Sequence, residues 1–184
     1  MKNCLLFLMA FYSYSAFSQV NDSFDDVNFT ISPVWGGSNS GNYFIGVSNQ
    51  LRSNSVTANS NFYLSTPNSL ANNCQWEFWC NLKLATSGAN YADVYLVSDQ
   101  AEIQSTNING YFIRKGNTGD EISLYKRSGA KSTSTKLIDG VDGSISSSGN
   151  NVVRIKVTRT AENLFILERD LTGTGNSYFT EGST

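Results

Sequence analysis

The chain has 184 residues, enough for one domain with a real core and short of two. Ser, Thr, Asn and Gly supply 76 of them, while 40% are apolar, 12% aromatic and the formal net charge is −2, which excludes the highly charged, weakly hydrophobic composition of disordered chains. There is no histidine, which removes Ser-His-Asp and Cys-His nucleophilic chemistry and the usual catalytic zinc ligand.

Residues 1–18 have the order of a secretory signal peptide: a basic start at Lys2, an apolar stretch from Leu5 to Tyr12, and small residues at Ala16 and Ser18. The apolar run is about half of the ~20 residues that cross a bilayer, so no membrane span is expected once the signal is removed. Cleavage after Ser18 leaves 19–184 as one exported module carrying two cysteines, Cys74 and Cys80. If the segment between them is a regular strand, their Cα atoms lie about 20 Å apart, beyond the ~7 Å that a disulfide tolerates.

Period-two alternation recurs from Phe44 onward and no long window carries a helical pattern, so helix should be nearly absent. Strands are expected at 43–47, 50–54, 61–65, 75–84, 91–98, 110–115, 121–127, 135–138, 151–159 and 164–169, separated by Asn, Ser, Asp and Gly turns. Ten short strands predict an all-β, two-sheet antiparallel sandwich. Alternation turns Trp76, Phe78, Cys80, Leu82 and Leu84 toward the core, with Ala92, Val94, Leu96, Tyr111, Ile113, Ile122, Leu124, Val153, Ile155 and Val157.

The opposite positions carry large aromatics and charges. Trp79, Tyr95 and Tyr125 offer flat rings for stacking against the CH face of a sugar, and Asp93, Arg114, Glu121 and Arg127 offer hydrogen bonds to hydroxyls. Ordinary sheet decoration by cross-strand pairs, or docking of a surface protein, accounts for the same pattern. Glu77, Asp93 and Glu121 share that expected face, and two carboxylates about 5 to 5.5 Å apart would suit a retaining glycosidase. Nearby Arg114 and Arg127 should instead hold them ionised, the wrong direction for a general acid. Asp25 with Asp26, or Asp139 with Asp142, supply calcium oxygens without the spacing of a twelve-residue calcium loop, so no cofactor is expected. Negative net charge disfavours nucleic acid, although ten of the 13 basic residues fall between Arg114 and Arg169. Arg154, Lys156 and Arg159 read as a solvated strand face, with an anionic glycan as the lesser alternative.

The stretches Phe24-Asp25-Asp26, Pro33-Val34-Trp35-Gly36-Gly37, Trp76-Glu77-Phe78-Trp79, 91–99, 109–114, 120–125 and 153–159 resemble the N-terminal module of exported Bacteroidetes-type proteins that carry lamin-tail or surface-sorting domains further on. That module is similar to the concanavalin A-like lectin/glucanase jelly roll. The resemblance implies a cell-surface β-sandwich with glycan-binding or adhesive roles. The chain lacks the Glu-x-Asp-x-x-Glu motif of the glucanase branch. It ends just after a further strand begins near Asn176, so a truncated jelly roll is expected, with 24–29 left as an open edge.

Overall fold

The computed structural model describes residues 20–55 and 60–184; the expected signal segment 1–18 lies outside them. Ten strands form antiparallel pairs: β1 (Tyr43–Gly46), β2 (Gln50–Ser53), β3 (Cys74–Leu82), β4 (Tyr91–Ser98), β5 (Ile108–Gly116), β6 (Glu121–Gly129), β7 (Thr135–Ile138), β8 (Asn151–Arg159), β9 (Phe165–Asp170) and β10 (Phe179–Ser183). β1 and β2 make a hairpin, while two four-stranded sheets, ordered β10-β9-β8-β3 and β4-β5-β6-β7, make a sandwich-like pair. Helix among the described residues is confined to two three-residue 3₁₀ turns, Ser40–Asn42 and Lys131–Thr133.

The inward set is the one that alternation selects. Ile113, Ile122, Leu124, Val153, Ile155, Val157 and Leu167 are fully buried in one cluster, with Trp76, Phe78 and Tyr111 packed against it. Each such side chain contributes about 1.5–3 kcal/mol by leaving water. Tyr111 and Phe165 meet across the sheets, ring centroids 4.7 Å apart. β3 runs unbroken from Cys74 through Cys80, and both thiols are free.

Three local expectations change. Residues 61–65 form no strand; Ser65 alone bridges to Gly36. Residues 24–29 are not an open edge but a turn region, because the side chains of Asp22, Asp26 and Asn28 accept from the backbone N–H two residues on and compete with ladder formation. Leu84 lies past the end of β3 and is exposed rather than in the core. At the end of the chain, β10 adds to β9 and not to the N-terminal segment.

One cation enters the interior. Lys115, on the inward face of β5, reaches the opposite sheet, where its Nζ donates to the Cys80 carbonyl at 2.9 Å and to the Asn151 carbonyl. No carboxylate pairs with it among the described residues, and burial holds its pKa below the usual lysine value. The unfolded chain therefore protonates this amine first as pH falls, so its contribution is present above about pH 10.4 and is lost through the lower folded pKa. Lys115→Met is expected to flatten the alkaline limb of stability measured by urea unfolding between about pH 8 and 11, while stability at pH 7 changes by less than about 1.5 kcal/mol.

Candidate functional site

The residues expected to share one platform are divided between the two outer faces of the sandwich. Asp93, Tyr95, Arg114, Glu121, Tyr125 and Arg127 lie on the outer face of β4-β5-β6, whereas Trp79 and Glu77 lie on the outer face of β3, in the other sheet. The inside-or-outside assignment of each is as alternation gives it; the shared face is not.

On the β4-β5-β6 face the rings stack on one another. Tyr95 and Phe112 are 5.0 Å apart at 27°, and Phe112 and Tyr125 are 5.2 Å apart at 9°. The Arg114 guanidinium sits 4.1 Å from the Tyr91 ring centre and 5.3 Å from that of Tyr125. Asp93 receives Arg114 in a two-point contact at 2.8 and 2.9 Å, and Lys131 closes over it at 2.8 Å. Arg127 pairs with none of the acids. Its guanidinium donates to the Tyr95 hydroxyl and to the carbonyls of Ile103, Ser105 and Gly129, pinning the 99–107 loop onto the sheet. Tyr125 is left 8% exposed and Arg127 2%. The arginine–aromatic set thus works as an internal layer under a loop, with its polar atoms already satisfied.

Glu77, Asp93 and Glu121 are kept apart from one another. Glu77 is on the opposite sheet. Asp93 and Glu121 flank β5 with a two-residue offset, roughly 12 Å between Cα atoms by strand spacing and rise. Glu121 bonds Lys136 at 2.6 Å, and burial raises its pKa against the lowering pull of that lysine. Glu77 pairs with Arg154 and not with Arg114 or Arg127. Asp139 shares Lys136 with Glu121, and no three His, Cys, Asp or Glu among the described residues are grouped to hold a metal.

The outer face of β3-β8-β9 is the open one. Trp79, 37% exposed, stands opposite Arg154 in register, and Glu77 opposite Lys156. Arg154 Nη1 bonds Glu77 Oε1 at 3.1 Å, Lys156 Nζ bonds Glu168 Oε2 at 2.9 Å, and the same amine lies 4.0 Å from the Tyr178 ring centre. These pairs leave the face electrically balanced and partly solvated.

The loop after β9 fixes that surface. Asp170 is fully buried, and its Oδ1 accepts from the Thr172 N–H and hydroxyl while Oδ2 accepts from the Thr174 hydroxyl and the N–H groups of Gly175, Asn176 and Ser177. The Thr172 hydroxyl leads these donors in holding its carboxyl well below the usual carboxylate range. The collar brings Gly173, at φ +72°, against the indole; a Cβ there would fall 2.6 Å from Val152 Cγ1 and 3.0 Å from Trp79 Nε1. Only glycine meets both demands. Sequence reasoning passed over Asp170, Gly173 and Tyr178. The available signal was the run Asp170-Leu171-Thr172-Gly173-Thr174-Gly175, an acid followed by hydroxyls and glycines at loop spacing.

Comparison with protein-family models, curated proteins and solved structures finds no match to this chain.

Two outcomes follow from these contacts. Arg127→Ala is expected to cost about 2–4 kcal/mol in chemical denaturation, because a buried charge-assisted anchor is lost and loop carbonyls are left without donors. Backbone amides of 99–107 should then exchange faster with solvent. Asp170→Asn is expected to lower Tm at pH 7 and to remove an acid-sensitive component of stability. With the native carboxyl depressed, that component is present above about pH 4 and is lost as pH falls through the folded value. Tryptophan emission followed from pH 7 downward checks it.

Proposed function

We propose that the chain is an exported, non-catalytic β-sandwich module of the concanavalin A-like jelly-roll type, acting at the cell surface and binding glycan through the outer face around Trp79. The observation that carries this reading is the indole itself. A large apolar ring stands on the solvent side of the edge strand β3, with one edge packed on Gly173 and the guanidinium and carboxylate of Arg154 and Glu77 close by. A pyranose presents an apolar CH face rimmed by hydroxyls, which such a ring and flanking ion pair complement. Export is supported by the n-region, h-region and small-residue order of residues 1–18. Two antiparallel four-stranded sheets support the jelly-roll assignment, together with the sequence resemblance.

The paired state of Glu77, Asp93 and Glu121 supports a binding role over hydrolysis. Tyr95, Tyr125, Arg114 and Arg127 then serve the module as packing.

On a glycan array the protein is expected to bind a restricted set of saccharides. Trp79→Ala should lower affinity at least about tenfold, a loss of ~1.4 kcal/mol, with only a modest fall in Tm. Tyr125→Phe should leave affinity unchanged. Silence across the array with the protein folded would overturn the reading in favour of an adhesive or structural spacer. Release of reducing ends from a bound polysaccharide would overturn the non-catalytic part.

A further inference from the structure

The two long sides of the sandwich differ. On one, β7 and β10 meet: the Val141 N–H donates to Glu181 Oε2 at 2.9 Å, and Gly182 lies close to the Ile138 side chain. On the other, β3 and β4 diverge around a cleft of about 1140 Å³. Trp76, Phe78 and Val94 line it and are only half-buried, although Val157, Ile155 and Ile113, their respective cross-strand partners in the same two sheets, are fully buried. Phe24, Trp35 and other residues of the N-terminal segment wall the cleft without adding a strand to either sheet among the described residues.

Among the described residues each bordering strand pairs on one side only, β3 with β8 and β4 with β5. β4 is bulged between Tyr95 and Val97, which twists an edge away from further pairing. β3 keeps regular register over nine residues.

Charge narrows the occupant. Four acidic residues border the cleft, Asp22, Glu77, Asp93 and Asp99, and no lysine or arginine does among the described residues. Glu77 and Asp93 are matched by Arg154, Arg114 and Lys131. Among the described residues Asp22 accepts from neutral donors, the Trp35 indole and the Phe24 N–H, and Asp99 from Asn109. The Asn109 backbone N–H and side-chain amide hold the Asp99 carboxyl below its ordinary value, so it stays ionised at neutral pH.

We propose that this cleft takes an extended, cationic peptide segment of a partner protein, which adds to β3 as a further strand. Its alternate apolar side chains cover Trp76, Phe78 and Val94, and its lysines or arginines meet Asp22 and Asp99. The cleft follows the free edge of β3, next to the outer face that carries Trp79 and Glu77, but the proposal rests on Asp22, Asp99 and the half-buried apolar residues and not on the Trp79 reading.

The test titrates the protein with the synthetic peptide (Lys-Val-Thr-Val)₃ and with its Glu-for-Lys counterpart. The readouts are hydrogen exchange of the β3 amides and affinity at low and at 0.5 M salt. The basic peptide is expected to protect β3 amides, and its affinity to fall about tenfold in high salt. The Asp22→Asn/Asp99→Asn double variant should weaken it similarly, and Asp99→Asn alone, in an exposed loop, by a smaller factor with the fold intact. The proposal is overturned if both peptides protect equally, or if neither does. It is overturned too if β3 protection rises with protein concentration alone, which would assign the cleft to a second copy, or if an oligosaccharide supplies the protection instead.

Discussion

A buried carboxylate surrounded by donors organises the part of the molecule that faces outward. Asp170 closes β9, and its two oxygens collect hydroxyl and backbone N–H groups from the seven residues that follow. Taking a charge out of water is costly unless its lone pairs are met, and here they are met by the chain's own backbone. The loop thereby has one conformation instead of many, and Gly173 is delivered to the edge of Trp79. From that contact follow the orientation of the indole, the place of Arg154 beside it and the separation of this surface from the rest of the sheet.

The opposite outer face shows the same residue types used to another end. Arg114, Arg127 and Lys136 turn their donors toward Asp93, Glu121, a tyrosine hydroxyl and loop carbonyls. The attraction of Arg114 and Lys136 to the rings beneath adds roughly 0.5–2 kcal/mol for each contact. The stacked rings of Tyr95, Phe112 and Tyr125, with the 99–107 loop pinned beside Tyr95 through Arg127, suit a supporting role. The Trp79 face, with its cations and acids each about one-third exposed or less, retains water that a ligand can displace.

Much of this fold was legible in the order of residues. Strand alternation marks Phe78, Ile113, Leu124 and Ile155 as inward because successive side chains point to opposite sides of a pleated ribbon. That is a local property, and it survives whatever the topology. What alternation does not carry is which sheet a ribbon joins. β3 and β4 are consecutive, yet the turn between them crosses from one sheet to the other. Trp79 and Tyr95, both outward, therefore end on opposite sides. Nor does a period of two report a loop folding back over a face, which is how Arg127 comes to be enclosed. At the N-terminal end, Asp22, Asp26 and Asn28 divert the backbone into turns through side-chain acceptors, a choice that depends on pairing partners being distant.

Lys115 sets something that hydrocarbon contacts leave loose. Leucine, isoleucine and valine side chains interlock when packed, but the attraction between them is non-directional and does not by itself name one offset between the layers. An ammonium that must find the carbonyls of Cys80 and Asn151 at the end of its reach accepts only one. The sandwich is thus keyed like a dovetail: Lys115 from one layer, seated on carbonyls of the other, restricts how far each is displaced along its neighbour.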